Sequence, residues 1–320
     1  MEPVKANPFS DPPDAGHLRG RPVADPATPR GRPGRVAGLI SGRMRFYRPW
    51  FPVAVSFFAV SLFAHETWLA PNQGSVPPGL PVRIDMSSGG GFPIMETAIE
   101  PSRLARFGVR LGEEILKPTY IGGPRSLKFN LTPPKEKEGL ATAFVSLKPR
   151  KLTLTPDKVA EYLAEINQPA LLESWKARPE PRTWREEYTK HAKAFFRVGK
   201  KDDDSWKTPV GLGLEIVPLN DPTGANPAED FIVQVLRNGQ PLPGLTLTTL
   251  IDPRTPRVFV VTDAEGKAAL KLNRAGRWLV EGTDLRETTK PGLDFESDFT
   301  TMLVMVTPGE RQNQATAPPR

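Results

Sequence analysis

Short stretches in which apolar and polar positions alternate recur along the chain after residue 80, and this period of two is typical of half-buried β-strands. Proline and glycine clusters, which favour turns, separate the stretches. The alternation predicts strands over residues 81–86, 106–111, 126–131, 142–147, 229–236, 245–250, 258–262 and 300–306. The chain is therefore expected to be mainly β.

The apolar period changes to that of a helix between residues 153 and 207. Thr155 is a good N-cap residue, and Pro156 suits the first position of a helix. The apolar face of this helix is formed by Val159, Tyr162, Leu163 and Ile166. We expect a second helix after Pro169 and a third over residues 183–194.

These patterns divide the chain into two β-sandwich-like domains, residues 65–152 and 208–307, joined by a helical bridge over 153–207. The second domain has about seven short strands in roughly a hundred residues, the pattern of an immunoglobulin- or transthyretin-like sandwich. Asn238-Gly239 predicts a tight hairpin turn within it. The polar residues 308–320 are expected to be a disordered tail.

Residues 44–64 have the layout of a secretory signal peptide. Arg45 and Arg48 form a basic region, residues 49–64 carry no charge, and Ala64 provides a small residue for cleavage. Cleavage there would make His65 the first residue of a periplasmic protein. An uncleaved segment would instead anchor the protein in the membrane.

Residues 1–43 contain eight prolines and almost no apolar periodicity, so they cannot form a core. We expect them to be disordered and to lie upstream of the true translation start. The alternative is a genuine basic tail on a membrane-anchored protein.

Charge and cysteine content exclude several classes of function. Of the net charge of +7, three charges belong to residues 1–43 and two to Arg45 and Arg48, which leaves two for the rest of the chain. So small an excess gives no electrostatic case for nucleic-acid binding. The absence of cysteine excludes disulfides, thiol catalysis and thiolate metal sites.

The residue that processing would expose, His65, is the strongest candidate for chemistry. A free α-amine and an imidazole on one residue can chelate a divalent metal ion, and Glu66 can add a carboxylate. The remaining histidine of the mature chain, His191, lies in the predicted third helix and is interpreted as a packed or surface residue. Four acidic residues lie near the end of the second sandwich: Asp284, Asp294, Glu296 and Asp298. They are interpreted as solvated residues or as further metal ligands.

Enzyme motifs are missing from the sequence. It contains no HExxH, GxSxG or Walker loop. A histidine-brace copper oxygenase would need a second histidine near His65, and the predicted helix argues against His191 in that role. We therefore expect no enzymatic activity. Trp68, Trp278 and Phe299 are interpreted as core residues rather than as platforms that stack on a ligand.

A series of short motifs in a fixed order carries a family resemblance. The motifs are AHETWLAP, GGGFP, YTKHAKAFFRVG, GLGLEIVPLNDP, NGQPLPG, TDAEGKA, AGRWLV and DFESDFTTMLV. Together they resemble an uncharacterised periplasmic family, a domain of unknown function whose members are described as periplasmic components of cobalt/nickel ABC-type transport. The resemblance implies a carboxy-terminal β-sandwich. It also implies that Asp284 stands where relatives often carry a histidine.

Taken together, these observations predict a periplasmic accessory protein for nickel or cobalt uptake. Its ligands to Ni²⁺ or Co²⁺ would be His65, Glu66 and Asp284, and Cu²⁺ would bind most tightly in vitro. A membrane metal transporter is the expected partner, and nucleic acid is not. The alternative is a β-sandwich surface-interaction module, for adhesion or for binding protein or carbohydrate, that uses no metal.

Overall fold

The computed structural model describes residues 66–308. The predicted signal peptide, the segment upstream of it, His65 and residues 309–320 of the predicted tail lie outside the described residues. Within residues 66–308, no helix has the length and apolar character needed to cross a membrane.

The described residues are mainly β, which confirms the predicted fold class. Their strands are β1 (Glu66–Pro71), β2 (Ser75–Val76), β3 (Val82–Gly89), β4 (Thr97–Ala98), β5 (Leu104–Leu111), β6 (Glu114–Leu116), β7 (Thr119–Gly122), β8 (Leu127–Leu131), β9 (Gly139–Leu147), β10 (Arg150–Leu154), β11 (Trp184–Val198), β12 (Leu214–Pro218), β13 (Asp230–Arg237), β14 (Gln240–Pro241), β15 (Thr246–Leu250), β16 (Val258–Val261), β17 (Lys267–Lys271), β18 (Gly276–Glu287) and β19 (Phe295–Val306).

The strands form three sheets. The largest has ten strands and runs in the order β16-β15-β18-β19-β11-β9-β5-β6, with β2 and β10 also paired to β11. A five-stranded sheet runs β1-β3-β8-β7 with β4 beside β3, and a four-stranded sheet groups β12, β13, β14 and β17. Most pairings are antiparallel, but β11 runs parallel to β19. Strands from both predicted β regions therefore share the ten-stranded sheet, and β11 connects them.

The predicted third helix is wrong, because residues Trp184–Val198 form the long strand β11. The sequence of this strand is rich in Glu, Lys and Ala, which favour helices. Pairing with neighbouring strands on both edges overrides that local preference. Both faces of the strand are covered along its second half, so its apolar and charged residues do not alternate cleanly.

The other two helices are confirmed. Helix α1 (Pro156–Glu165) has Thr155 at its N-cap and Pro156 at its first position. Helix α2 (Pro169–Lys176) likewise begins at a proline. Their buried residues pack with Trp184 and Phe295 of the ten-stranded sheet, and Trp184 stacks on Phe295 with ring centroids 3.9 Å apart.

Two separate cores cover opposite faces of the ten-stranded sheet. Ala194 belongs to the core shared with the five-stranded sheet, whereas Phe195 belongs to the core shared with the four-stranded sheet. Leu279 and Val280 of β18 divide in the same way. This follows because successive side chains of a strand point to opposite faces. The structure is thus a central sheet with a smaller sheet packed on each side.

The predicted turn at Asn238-Gly239 is confirmed, since both residues have positive φ, 50° and 79°. The turn connects β13 to the short strand β14. Strand β15, which the hairpin pattern placed beside β13, lies in the ten-stranded sheet instead.

Candidate functional site

A small cavity lies beside the start of β1, where both larger sheets meet the end of helix α1. Its volume is about 40 Å³, which is room for about three water molecules. Five charged side chains from different elements line it: Glu66, Glu165, Lys190, Arg257 and Glu281. Three of these five are carboxylates. We call Glu66, Glu165 and Glu281 the carboxylate cluster.

Each member of the carboxylate cluster occupies a fixed position in the fold. Glu66 is the first residue of β1, a strand held to the ten-stranded sheet by a hydrogen bond from the Thr301 hydroxyl to the Thr67 carbonyl. Glu281 lies in the middle of β18, and Glu165 is the last residue of α1. The cluster therefore exists only when the two sheets and the helix are assembled.

One guanidinium, that of Arg257, contacts all three carboxylates. Its Nη2 lies 3.1 Å from Glu66 Oε1 and 3.3 Å from Glu165 Oε1, and its Nη1 binds Glu281 Oε1. Arg257 precedes the edge strand β16 and is one-quarter exposed. Three carboxylates thus share a single arginine.

The second oxygens of two of these carboxylates have no partner when both groups are ionised. Glu66 Oε2 and Glu281 Oε2 are buried and then accept no hydrogen bond from the described residues, whereas a protonated Glu281 hydrogen-bonds to Glu66. Buried polar atoms are nearly always hydrogen-bonded, so such an atom calls for an explanation such as a bound water or ion. Both atoms belong to residues that line the cavity.

Burial shifts the titration of the groups around the cavity. Burial, reinforced by the charge of Glu66, raises the pKa of Glu281 well above its ordinary value. The same two causes raise the pKa of Glu165 to about 7, against the opposing effect of Arg257. Burial also lowers the pKa of Lys190 to about 8. Near neutral pH, Glu281 and part of Glu165 therefore keep protons that exposed carboxylates would have lost.

The donor chemistry around the cavity suits a cation, because carboxylate oxygens are ligands for divalent metal ions. Among residues 66–308, no three or more His, Asp and Glu side chains are grouped so as to hold a metal ion. His65, the strongest candidate from the sequence, precedes Glu66 directly and lies outside the described residues. Any metal site here would have to combine Glu66 and Glu281 with donors from that residue.

Asp284, the third predicted ligand, does not join the carboxylate cluster. It follows Glu281 by three positions on β18, so the two side chains point to opposite faces of the sheet. Arg237 lies 3.2 Å from Asp284 Oδ2, and Arg286 binds the same oxygen. The structure therefore brings Glu66 to Glu281 rather than to Asp284.

His191 lies in strand β11, and its imidazole is hydrogen-bonded on both sides. Nδ1 is 2.7 Å from Ser146 Oγ, and Nε2 is 3.2 Å from Asp298 Oδ1. Gly213 lies against the ring, where a Cβ atom would come within 3.2 Å of Nε2. The histidine thereby ties together β9, β11 and β19, and neither nitrogen is available to a metal without breaking a hydrogen bond.

The other predicted acidic residues also form ion pairs. Arg185 lies 2.9 Å from Asp294, Lys290 binds Glu296, and Arg286 lies 2.7 Å from Asp298. These contacts satisfy the three carboxylates at the start of β19. Trp68 and Trp278 are buried as predicted, while Phe299 is only partly buried.

Glu165, Glu281 and Arg257 are not predicted from the sequence as site residues. Glu281 carried one signal, because a single carboxylate directly follows the apolar run WLV. A charged residue in such a run is either paired or functional. Glu165 and Arg257 gave no comparable signal, since each looks like an ordinary surface residue until the chain folds.

Comparison with solved structures gives only remote similarities. A 1.5-MDa bacterial ice-binding adhesin is 8% identical with a TM-score of 0.21, over 77% of this chain and 66% of that one. A tandem-repeat region of a large adhesion protein is 10% identical with a TM-score of 0.22, over 75% and 49%. Escherichia coli alpha-2-macroglobulin is 10% identical with a TM-score of 0.22, over 75% and 16%. The chain spans less than two-thirds of each structure, and these scores carry no argument about function.

Comparison with curated proteins gives no match. A protein-family model, in contrast, matches residues 62–283, which is more than half of the chain. The matched range begins just before β1 and includes the carboxylate cluster. The chain therefore belongs to the family described as "Domain of unknown function (DUF4198)".

Proposed function

We propose that this protein is an exported accessory protein that binds a divalent transition metal ion, nickel or cobalt, and passes it to a membrane transporter. One observation carries the proposal. When both are ionised, Glu66 and Glu281 each present a buried oxygen that accepts no hydrogen bond from the described residues, beside a cavity at the start of β1. Glu66 directly follows His65, whose amine and imidazole supply nitrogen donors once the signal peptide is removed.

The ligand set in this proposal combines two kinds of donor. The His65 amine and imidazole provide two nitrogens, and Glu66 and Glu281 provide oxygens. Mixed nitrogen and oxygen donors favour Ni²⁺, Co²⁺ and Cu²⁺ over Mg²⁺ and Ca²⁺. Glu281 replaces Asp284 of the sequence-based ligand set, because Asp284 points to the other face of the sheet and is held by two arginines.

Charge supports the proposal as well. Three carboxylates face two cationic side chains, Arg257 and Lys190, so the cavity gains an excess negative charge only when Glu165 and Glu281 lose the protons that they retain near neutral pH. A divalent cation would offset that excess. The protons held by Glu165 and Glu281 would leave as it binds, since ligands must be deprotonated.

Calorimetry with Ni²⁺ tests the proposed site. The forms to compare are the chain beginning at His65, the same chain extended by one residue, and the substitutions His65→Ala, Glu281→Gln and Asp284→Asn. We expect the extension, His65→Ala and Glu281→Gln each to weaken binding at least about tenfold, as loss of a ligand should. Asp284→Asn, the matched control on the same strand, should leave the affinity unchanged. Equal affinity in all five forms would contradict the proposal.

Export and processing are tested separately. We expect intact-mass analysis of protein from the periplasm to give a chain that begins at His65. A mass that includes residues 1–43, or a start beyond His65, would remove the amine chelate from the proposal.

The alternative function, a surface-interaction module without metal, is favoured by one feature of the fold. Edge strand β16 exposes three apolar side chains, Val258, Phe259 and Val261, with exposed fractions of 55%, 39% and 57%. An exposed apolar edge is suited to pairing with an extended strand of another protein. Cells that display the protein should then adhere to their target surface, and Val261→Lys should abolish adhesion while the urea transition of the protein stays unchanged.

A further inference from the structure

Strand β16 forms one end of the ten-stranded sheet. One of its edges pairs with β15, and no strand of residues 66–308 pairs with the other, which we call the open edge. Edge strands are commonly protected by charged residues or proline, but β16 consists of three valines and a phenylalanine. We propose that the open edge pairs antiparallel with β16 of a second copy of this chain, so that two ten-stranded sheets join across a two-fold axis. This dimer needs no metal ion.

The backbone of β16 offers two residues for such pairing. Directly after the strand, the Thr262 N–H donates to the Leu245 carbonyl at 3.0 Å, so the backbone groups of Thr262 face the β15 side. Residues of an antiparallel strand alternate in the edge that their backbone groups face. Phe259 and Val261 therefore direct their N–H and C=O groups to the open edge. Pairing each Phe259 with Val261 of the other copy gives four hydrogen bonds and places the two Val260 residues opposite each other on the axis.

The side chains at the open edge match in this register. Phe259 and Val261 are both exposed, and they point to the same face of the sheet because they are two positions apart. Each phenylalanine would lie opposite a valine of the other copy, and aromatic and β-branched residues stabilise each other across strands. Phe259 also lines the cavity. Since the two-fold axis runs perpendicular to the combined sheet, the cavities of both copies lie on one face of it.

Charges at the ends of β16 favour the antiparallel direction. Arg254 and Arg257 precede the strand, and Asp263 and Glu265 follow it. Arg254 and Glu265 are exposed, and neither forms an ion pair within residues 66–308. Antiparallel pairing brings the basic end of each copy beside the acidic end of the other, whereas parallel pairing would bring like charges together. The two-fold symmetry supplies this attraction twice.

The edge strand β7 of the five-stranded sheet lacks this complementarity. It exposes Tyr120 and Ile121 in the same way. Lys117 precedes it and Arg125 follows it, and both are exposed. Two copies of β7 would bring basic residues together in either direction. Charge therefore selects β16 over β7 for pairing with a second copy, and β7 provides a matched control.

The length of β16 limits the strength of the dimer. Four strand residues per copy are few beside the roughly 20–30 residues a side of a standard interface. Interfaces of standard size have dissociation constants from micromolar to picomolar. We therefore expect a reversible dimer with a dissociation constant in the micromolar range or weaker, which forms as the protein is concentrated.

Sedimentation velocity over a concentration series tests the proposal on the full exported chain. The unmodified protein should shift from monomer to dimer as its concentration rises. Val261→Lys should raise the dissociation constant at least about tenfold, because symmetry places the added charge at the interface twice. Ile121→Lys is the matched control on β7, with an exposed fraction of 64% at Ile121 against 57% at Val261, and should leave the dissociation constant unchanged.

The contrary results are specific. A protein that stays monomeric at every concentration overturns the proposal and leaves the open edge to a strand of another protein. Equal weakening by Val261→Lys and Ile121→Lys overturns it as well, since dimerisation would then not use β16 in particular. Urea denaturation of both variants shows that each is folded before the comparison is made.

Reversal of the end charges tests the direction of pairing. Arg254→Glu and Glu265→Lys should each weaken the dimer several-fold, because each brings like charges together at both ends of the paired strands. The double variant restores opposite charges and should recover the original dissociation constant. A double variant that dimerises less well than either single variant would overturn the antiparallel arrangement.

Single cysteines test the register, because the chain contains none of its own. The two Val260 residues would form a non-hydrogen-bonded pair with Cα atoms about 4.5 Å apart, which a disulfide can span. The two Val258 residues would lie more than about 13 Å apart, which is beyond its reach. Val260→Cys should therefore give a covalent dimer under mild oxidation, and Val258→Cys should not. Equal cross-linking of the two variants, or none in either, would overturn the proposed pairing.

Discussion

Lys193 of β11 and Glu215 of β12 form an ion pair with an Nζ–Oε1 distance of 2.8 Å, and each side chain is only 2% exposed. The pair crosses from the ten-stranded sheet to the four-stranded sheet. Glu215 also accepts hydrogen bonds from the backbone N–H groups of Val210, Gly211 and Leu212. Burial alone would raise the pKa of Glu215, but Lys193 and these N–H groups lower it. The carboxylate therefore fixes the loop before β12.

Breaking this buried pair should be costly. Glu215→Gln leaves the Lys193 ammonium buried without its counter-charge, and we expect the free energy of unfolding to fall by about 3–5 kcal/mol. The exposed pair Lys207–Asp204 is the matched control, and Asp204→Asn should cost about 0–1 kcal/mol. Urea denaturation of both variants measures the difference. Equal effects would mean that the buried pair contributes no more than a surface contact.

Glu186 should make the stability depend on pH. It accepts hydrogen bonds from the Tyr162 hydroxyl, the Trp184 indole and the Ser297 hydroxyl, yet burial raises its pKa above 4.5. The folded state then binds more protons than the unfolded state. The stability from this group is full below about pH 4.5 and is lost as the pH rises through the folded-state pKa.

Glu186→Gln removes that contribution. The decline of unfolding free energy with rising pH above about 4.5 should therefore be shallower in the variant than in the unmodified protein. Denaturation curves at a series of pH values measure both slopes. Glu173→Gln, at an exposed position on α2, should leave the slope unchanged. A variant slope as steep as the original would assign the pH dependence to other groups.

Two glycines with positive φ should respond differently to alanine. Gly266 has φ of 71°, and a Cβ atom there would lie 2.8 Å from both the Leu242 nitrogen and the Val235 oxygen. Gly239 has φ of 79°, and nothing lies within 4 Å of its Cβ position. Gly239→Ala should thus cost only the left-handed strain of about 1–2 kcal/mol.

Gly266→Ala should add roughly 1–3 kcal/mol to that cost, because backbone atoms must shift to admit the methyl group. Thermal denaturation of the two variants gives the comparison. If they lose equal stability, conformational strain alone determines the effect and the close backbone contact at Gly266 is unimportant.

The segment 208–307, which the sequence predicts as a separate sandwich, is not expected to fold alone on structural grounds. Its strand β19 pairs along one edge with β11, from Glu186 opposite Phe295 to Lys193 opposite Met302. Without residues 66–207, that edge and the apolar residues that face the five-stranded sheet would be exposed. We expect no cooperative urea transition for 208–307 and a sharp one for 66–308. A sharp transition in the shorter segment would support the original boundary.

Local sequence located eight of the nineteen strands in residues 66–308 and both α-helices. Alternation located β5, β8 and β9 within two or three residues, and Pro156 and Pro169 each begin a helix as predicted. Asn238-Gly239 specified its turn because these residues tolerate positive φ. Such features depend on neighbouring residues alone, which is why they can be read from the chain.

The tertiary structure decided how these elements combine and where the candidate site lies. Strand β11 is a strand despite its helix-forming residues, because β9 and β19 bind its two edges. Glu66, Glu165, Arg257 and Glu281 meet from four distant parts of the chain, and the side of β18 that faces the cavity selects Glu281 rather than Asp284. Electrostatic contacts and burial depend on distances in space, and spacing along the sequence does not specify those distances until the sheets have packed.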